Sequence, residues 1–256
     1  MGALHEGHAS LVRRSVSEND LTLVSIFVNP TQFGPNEDLA RYPRDLAGDL
    51  RLLESLGADI VFAPEIDEIY PAAPGQILFE IRDMDKRLCG ASRPGHMNGV
   101  VQIVSILFHL VRPDRAYFGL KDYQQCLIIG QLVRELHFQL EVVPCPIVRE
   151  SDGLAMSSRN RYLSPEERRQ ALFLSRALAL AAEPGMHRVP VADIRASVME
   201  LLRQYPLVRL DYFEVLDGNT LAPIDSVQAS QKPVAFVAAF LGNTRLIDNR
   251  ILGEIA

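Results

Sequence analysis

Apolar residues along the chain fall into short dense runs, separated by longer stretches where they recur every three or four positions. Leu21–Val28 is nearly continuous in apolar and β-branched residues, which predicts a strand covered on both faces. Residues 44–56 carry Leu46, Leu50, Leu53 and Leu56 at helical spacing, and Gly57 stops the run. Ile60–Ala63 predicts another buried strand, ended by Pro64. Residues 99–111 predict a mostly buried helix that closes at Arg112-Pro113. Arg115–Phe118 predicts a short strand, residues 122–136 a helix, and Leu140–Val143 the next strand. Strand and helix in alternation imply α/β architecture with a parallel sheet wrapped by helices.

The pattern changes near residue 163. Ser164-Pro165-Glu166-Glu167 is a helix start with Ser as N-cap, Pro at the first position and Glu167 completing a capping box. The helix is expected to reach Ala182, and Pro184-Gly185 breaks it. A second helix is expected over Val191–Tyr205, then strands over Leu210–Leu216, Val234–Leu241 and Leu246–Ile251, with turn chemistry at Asp217-Gly218-Asn219 and Gly242-Asn243. Two domains follow: 1–162, α/β, and 163–256, a smaller C-terminal α+β domain.

Composition narrows the function classes. With 256 residues and 48% hydrophobic content the chain can bury a large core. A net charge of −6 and a pI near 5.6 argue against a nucleic-acid surface. Val100–Val111 is too short for a membrane span and is interrupted by Gln102, Ser105 and His109; no apolar segment of signal-peptide type opens the chain. Cys89, Cys126 and Cys145 are scattered, as suits reduced core thiols better than a disulfide framework or zinc site. A soluble cytoplasmic protein is expected, without nucleic-acid or membrane partners.

Ligands of open parallel sheets sit beyond the carboxyl ends of the strands, and polar clusters fall there. His5-Glu6-Gly7-His8 places two imidazoles on a first helical turn, where free N–H groups and the helix dipole suit phosphate, and Gly7 permits close approach. Taken alone, the pair also fits surface histidines or half of an incidental metal site; it is not the zinc-protease H-E-x-x-H. Lys121-Asp122 offers a point charge for phosphate and a carboxylate for a ribose hydroxyl, and equally fits a surface ion pair. Met156-Ser157-Ser158-Arg159-Asn160 sets two hydroxyls beside a guanidinium able to grip phosphate oxygens, and by itself also fits an ordinary polar loop. Gln32 and Gln125 are neutral groups suited to orienting a small polar substrate.

Taken together, these motifs resemble the pantoate–β-alanine ligase (pantothenate synthetase) family, within the nucleotidylyltransferase-like superfamily. The resemblance rests on M-G-A-L-H-E-G-H at 1–8, F-V-N-P-T-Q-F at 27–33, R-P-G-H-M-N-G-V-V at 93–101, F-G-L-K-D-Y-Q-Q at 118–125 and M-S-S-R-N at 156–160. It implies a Rossmann-like first domain binding ATP and pantoate, and a homodimer; because an acyl adenylate hydrolyses easily, the C-terminal domain 163–256 is expected to act as a lid that excludes water. It also implies ATP-dependent condensation of (R)-pantoate with β-alanine through pantoyl adenylate, with Mg²⁺ accompanying ATP. By matching position, Met1, Gly2, Ala3, Leu4, His5, Glu6, Gly7 and His8 would pack along ATP, with His8 the catalytic proton donor and His5 beside it. Gly119, Leu120, Lys121 and Asp122 would contact ribose and phosphates, and Val148 the adenine. Met156, Ser157, Ser158 and Arg159 would close on the phosphates, and Gln32 and Gln125 would hold pantoate. Asp49 is one conceivable Mg²⁺ ligand among many carboxylates.

Family members carry a strand ahead of M-G-x-L-H-x-G-H that ends in Pro-Thr. Nothing precedes Met1 here, so a sheet without its first strand, or an upstream start, is expected. Two rival readings remain: another nucleotidyltransferase, which leaves Gln32, Gln125 and the 156–160 run unexplained, and a non-catalytic nucleotide-binding module. An aminoacyl-tRNA synthetase fits poorly with an acidic chain.

Overall fold

The computed structural model describes residues 1–35, 37–71 and 77–253. Two compact units divide the chain, Met1–Val148 and Arg149–Ala256.

In the first unit, α1 (Glu6–Glu18) precedes β1 (Leu23–Ser25), and α2 (Leu46–Leu56) leads to β2 (Ile60–Phe62). Short helices α3 (Ile66–Ile69) and α4 (Leu88–Ser92) come before α5 (His96–Val111), β3 (Arg115–Gly119), α6 (Tyr123–Glu135) and β4 (Glu141–Cys145). The expected alternation is present. β1 pairs with β2 in parallel, Val24 opposite Val61, and β3 pairs with β4 in parallel, Tyr117 opposite Val143. Among the described residues the two pairs are separate sheets. On the edge of β1 away from β2, Met1 accepts from the Phe27 N–H at 3.0 Å and donates to the Ser25 carbonyl at 2.9 Å, whereas Ile26 donates to Phe62 of β2.

Val12 of α1, Val24 of β1 and Leu53 of α2 form a buried cluster, so the first helix is fixed through both its strand and its neighbour. The helix over 44–56 is present, yet its buried face is not the leucine stripe. Leu46 and Leu50 are 48% and 42% exposed, while Asp49 and Leu53 are buried. Gly57 ends α2 in the left-handed conformation (φ +80°), as its sequence position predicts. α5 starts three residues earlier than expected, at His96, because Gly95 (φ +84°) turns the chain into it.

The second unit contains α7 (Pro165–Gln170), α8 (Leu172–Ala181), α9 (Val191–Leu202), β5 (Val208–Asp217), β6 (Pro233–Leu241) and β7 (Thr244–Ile251). The Ser164–Glu167 capping box forms as expected, but the first helix is interrupted at Ala171, which caps α7 and starts α8. β5, β6 and β7 make an antiparallel sheet in sequence order. Phe173, Leu174, Ala177 and Leu178 of α8 pack with Ile194 and Val198 of α9 and with Ala235, Val237 and Ala239 of β6.

The units meet at residue 148/149 in the chain, not near residue 162. Residues 149–162 belong to the second unit because Arg149 makes a bidentate pair with buried Asp248 of β7, at 2.6 and 3.0 Å, and Leu154 enters that unit's core. Hydropathy does not reveal a boundary set by an ion pair and one leucine.

Candidate functional site

The turn ahead of α1 is closed by its own histidines. His5 is the N-cap, extended at φ −144°; its Nδ1 accepts the Gly7 N–H at 3.1 Å, and Nδ1 of His8 accepts the His5 N–H at 3.3 Å. This is the reciprocal geometry of a capping box, with two imidazoles in place of the usual hydroxyl and carboxylate. A ring nitrogen that accepts a hydrogen bond carries no proton. The bonding pattern therefore assigns the proton of each neutral ring to Nε2. The rings lie 4.1 Å apart between centroids. Burial lowers the His8 pKa from 6.5 to about 3, helped by His5, the terminal amine and Lys121, with Asp122 opposing. His8 is thus a neutral ring at neutral pH. Lys121 and Asp122 lie within electrostatic reach of it.

Those two residues occupy the turn between β3 and α6, with Lys121 Nζ 3.2 and 3.3 Å from the Asp122 carboxylate oxygens. Gly119 ends β3, and its carbonyl accepts from Cys126 Sγ. Leu120 stands in the same turn, and Gln125 is half-buried in the first turn of α6. Its neighbour Gln124 is buried and serves structure, donating to the Met84 and Arg87 carbonyls and accepting from Gly90 N–H.

Gln32 ends a short turn over Pro30–Gln32, and sequence reasoning missed what holds that turn. Asn29 is buried; its Oδ1 accepts from Tyr70 at 2.8 Å and Thr31 Oγ1 at 3.0 Å, and its Nδ2 donates to the Gly99 carbonyl at 2.9 Å. α5 presses close enough that a Cβ on Gly99 would stand 2.4 Å from the Thr31 carbonyl oxygen. His96 Nδ1 donates to the Gln32 carbonyl at 2.8 Å, while Arg93, paired with Glu37, donates to His96 Nε2 at 2.9 Å. His96 is therefore the opposite tautomer to His5 and His8. Its pKa is lowered to about 4 by burial and Arg93, with the Gln32 carbonyl, Glu37 and Asp122 opposing.

Met156, Ser157, Ser158 and Arg159 stand in the second unit. Ser157 caps a short helical turn over Ser158–Tyr162, its Oγ accepting the Arg159 N–H at 3.3 Å, and Ser158 is buried. Asn160 ties the turn to Glu150 at 2.6 Å and to the Ala155 carbonyl at 3.1 Å, and Arg168 grips both Glu150 and Asp152 at 2.8 Å. Val148, half-buried, is the last residue of the first unit.

Asp49 has a different place from a cation ligand. Its two oxygens accept the N–H groups of Ala3 and Leu4 at 2.8 and 2.6 Å, and it is 4% exposed.

A parallel α/β unit with a helix N-terminus capped by two imidazoles, beside a lysine and a carboxylate, belongs to the class of proteins that handle phosphate-bearing ligands. The comparisons name the family. The family profile described as pantoate-beta-alanine ligase matches residues 1–251. Pantothenate synthetase of Acidobacterium capsulatum is 55% identical over 99% of this chain and 84% of that protein. That of Thermotoga petrophila is 50% identical over 99% and 90%. The crystal structure of pantothenate synthetase from Thermus thermophilus superposes with a TM-score of 0.92 at 45% identity, covering 98% of this chain and 90% of that one. The ligase of Francisella tularensis, complexed with beta-gamma ATP and beta-alanine, superposes at 0.80 with 33% identity, covering 98% and 87%. The chain belongs to the pantoate–β-alanine ligase family.

Proposed function

We propose that the chain condenses pantoate with β-alanine at the expense of ATP, giving pantothenate, AMP and pyrophosphate. A pantoate carboxylate oxygen attacks the α-phosphorus, and pyrophosphate leaves with the electrons of the broken P–O bond. The β-alanine amine then attacks the acyl carbon of pantoyl adenylate, losing a proton as AMP departs. Adenylyl transfer asks the protein for in-line positioning and for donors aimed at charge on the phosphates.

The histidine turn carries this reading. Its two acceptor Nδ1 atoms hold the rings as Nε2–H donors, and the low pKa of His8 keeps that donor neutral at neutral pH. A bound triphosphate would raise that value, so His8 gains proton-donating power only when its anionic substrate is present. Met1, Gly2, Ala3, Leu4, Glu6 and Gly7 form the backbone along the nucleotide. Lys121 neutralises phosphate charge, Asp122 with Gly119 and Leu120 takes the ribose side, and Val148 lies toward the base. Ser157, Ser158 and Arg159, after Met156, add hydroxyl and guanidinium donors. Gln32 and Gln125 hold pantoate, Gln32 on a turn anchored by Asn29 and His96.

Mg²⁺ travels with ATP and, when bound, neutralises phosphate charge. Among the described residues no cluster of three His, Cys, Asp or Glu makes a cation cage; Mg²⁺ on phosphates keeps several waters and needs few protein ligands. A cytoplasmic homodimer completes the reading. Cys89, Cys126 and Cys145 are buried, and burial lifts Cys126 to about 12, which suits unreactive thiols in a reducing compartment.

Pantoate-dependent exchange of labelled pyrophosphate into ATP, with β-alanine omitted, tests the proposal. Exchange only with pantoate is expected. ATP binding without exchange would identify a non-catalytic nucleotide-binding module instead.

A further inference from the structure

The segment that delivers His5 and His8 buries Ala3 and packs Leu4 against the Val12, Val24 and Leu53 cluster, and its backbone takes an unusual path. Gly2 (φ +154°) and Ala3 (φ +49°) both adopt backbone conformations that L-residues rarely take. Such conformations persist only where the surroundings over-determine them. Immediately after them, the N–H groups of Ala3 and Leu4 turn toward one buried carboxylate, each bonding a different oxygen of Asp49. Two successive N–H groups around one anion form the concave backbone arrangement that binds anions elsewhere. Here the anion is the protein's own. His5 follows directly and caps α1.

The position of Asp49 fits this task. It lies in the first turn of α2, one turn before Leu53, and Leu53 packs with Val12 of α1 and Val24 of β1. α2 is therefore fixed by the same cluster that fixes α1. A carboxylate projecting from it reaches the entering chain 45 and 46 residues earlier in the sequence. Leu46 and Leu50 face solvent on the same helix, so the buried polar position is not a by-product of general burial.

We propose that Asp49 is the positioning residue of the histidine turn: by clamping the Ala3 and Leu4 N–H groups it fixes where the His5 and His8 rings point. This rests on reading those rings as phosphate donors. A ring displaced by about 1 Å can cost roughly 100-fold in rate, so a residue with no substrate contact can control turnover.

The test compares Asp49→Asn, nearly isosteric with one acceptor oxygen, and Asp49→Leu, with none. Pantoate-dependent exchange is expected to fall about 10-fold in the first and about 100-fold in the second. KM for ATP should change less than kcat, and the Mg²⁺ requirement should be unchanged. In parallel, ¹⁵N imidazole spectra of the full chain are expected to show loss of the single Nε2–H form of His8 and an upward move of its titration. The spectra need no turnover, so they decide the matter even if the chain catalyses no exchange. Asparagine leaving both exchange and His8 titration unchanged would overturn the proposal. So would a loss restored by high Mg²⁺, which would make Asp49 a cation ligand. Should the leucine variant fail to fold, the asparagine variant carries the test.

Discussion

The His5–His8 turn and the Ser157–Arg159 turn, both assigned to phosphate in the proposed function, are held by different physics. In the first, two imidazoles cap their own helix and a buried carboxylate fixes the entering backbone. In the second, a serine hydroxyl and an asparagine fix the backbone, and Arg168 with two acidic partners braces it from partly exposed positions. The guanidinium of Arg159 keeps its charge at any physiological pH, whereas His8 owes its neutral state to burial. The first turn should therefore respond to pH and to small displacements, and the second to neither.

The largest effect to expect from this contrast is on His8. His8→Ala should lower pantoate-dependent exchange by roughly 100- to 1,000-fold, the range for one preorganised donor at developing charge. Steady-state exchange rates at saturating pantoate check it, and a loss under about 3-fold, far below that range, would place the chemistry elsewhere.

Next is the turn bearing Gln32. Gly99→Ala puts a methyl 2.4 Å from the Thr31 carbonyl oxygen, a backbone atom that cannot swing aside. A cost of about 1–3 kcal/mol is expected, as for other overpacked sites, with KM for pantoate rising. Urea unfolding and KM together read it.

The pH dependence separates the two turns. His8 and His96 have pKa values lowered from 6.5 to about 3 and about 4. Below pH 6.5 the unfolded chain takes up protons that the folded rings refuse, so stability falls as pH drops toward 4, by up to about 1.4 kcal/mol per pH unit for each ring. Above pH 6.5 both rings are neutral in both states and contribute no slope. Urea midpoints from about pH 7 to about pH 4.5 check this, and His96→Asn should remove about half the histidine contribution.

Smallest is Arg168→Gln. Its partners Glu150 and Asp152 are 32% and 40% exposed, so water screens the pair. A loss of about 1 kcal/mol or less is expected, without change in the pH profile of exchange.

Much of this fold is legible in sequence because apolar periodicity and cap chemistry are local. Gly57 and the Ser164–Glu167 box behave as their types dictate. α2 shows where such reading stops. Its leucines announce a helix correctly, but the face that matters buries a carboxylate, and no hydropathy pattern marks Asp49 as an acceptor for a backbone 45 residues away. The histidine turn has the same blind spot. H-E-G-H is readable as a phosphate-suited helix start, yet capping rules name Ser, Thr, Asp and Asn, so imidazoles acting as caps are invisible until their nitrogens are placed. Asn29 is written plainly in N-P-T-Q, and only its bonds to Tyr70 and Gly99 show that it builds the turn rather than touching solvent.

The central claim is that His5 and His8 present Nε2–H groups to the phosphates of ATP, His8 from a neutral ring. ¹⁵N imidazole spectra recorded while adding a non-hydrolysable ATP analogue test it most directly. The account predicts that both rings start protonated on Nε2, that those signals shift on binding, and that the His8 titration moves upward. A ring protonated on Nδ1 in the free protein, or Nε2 signals unmoved at saturating analogue, would contradict it.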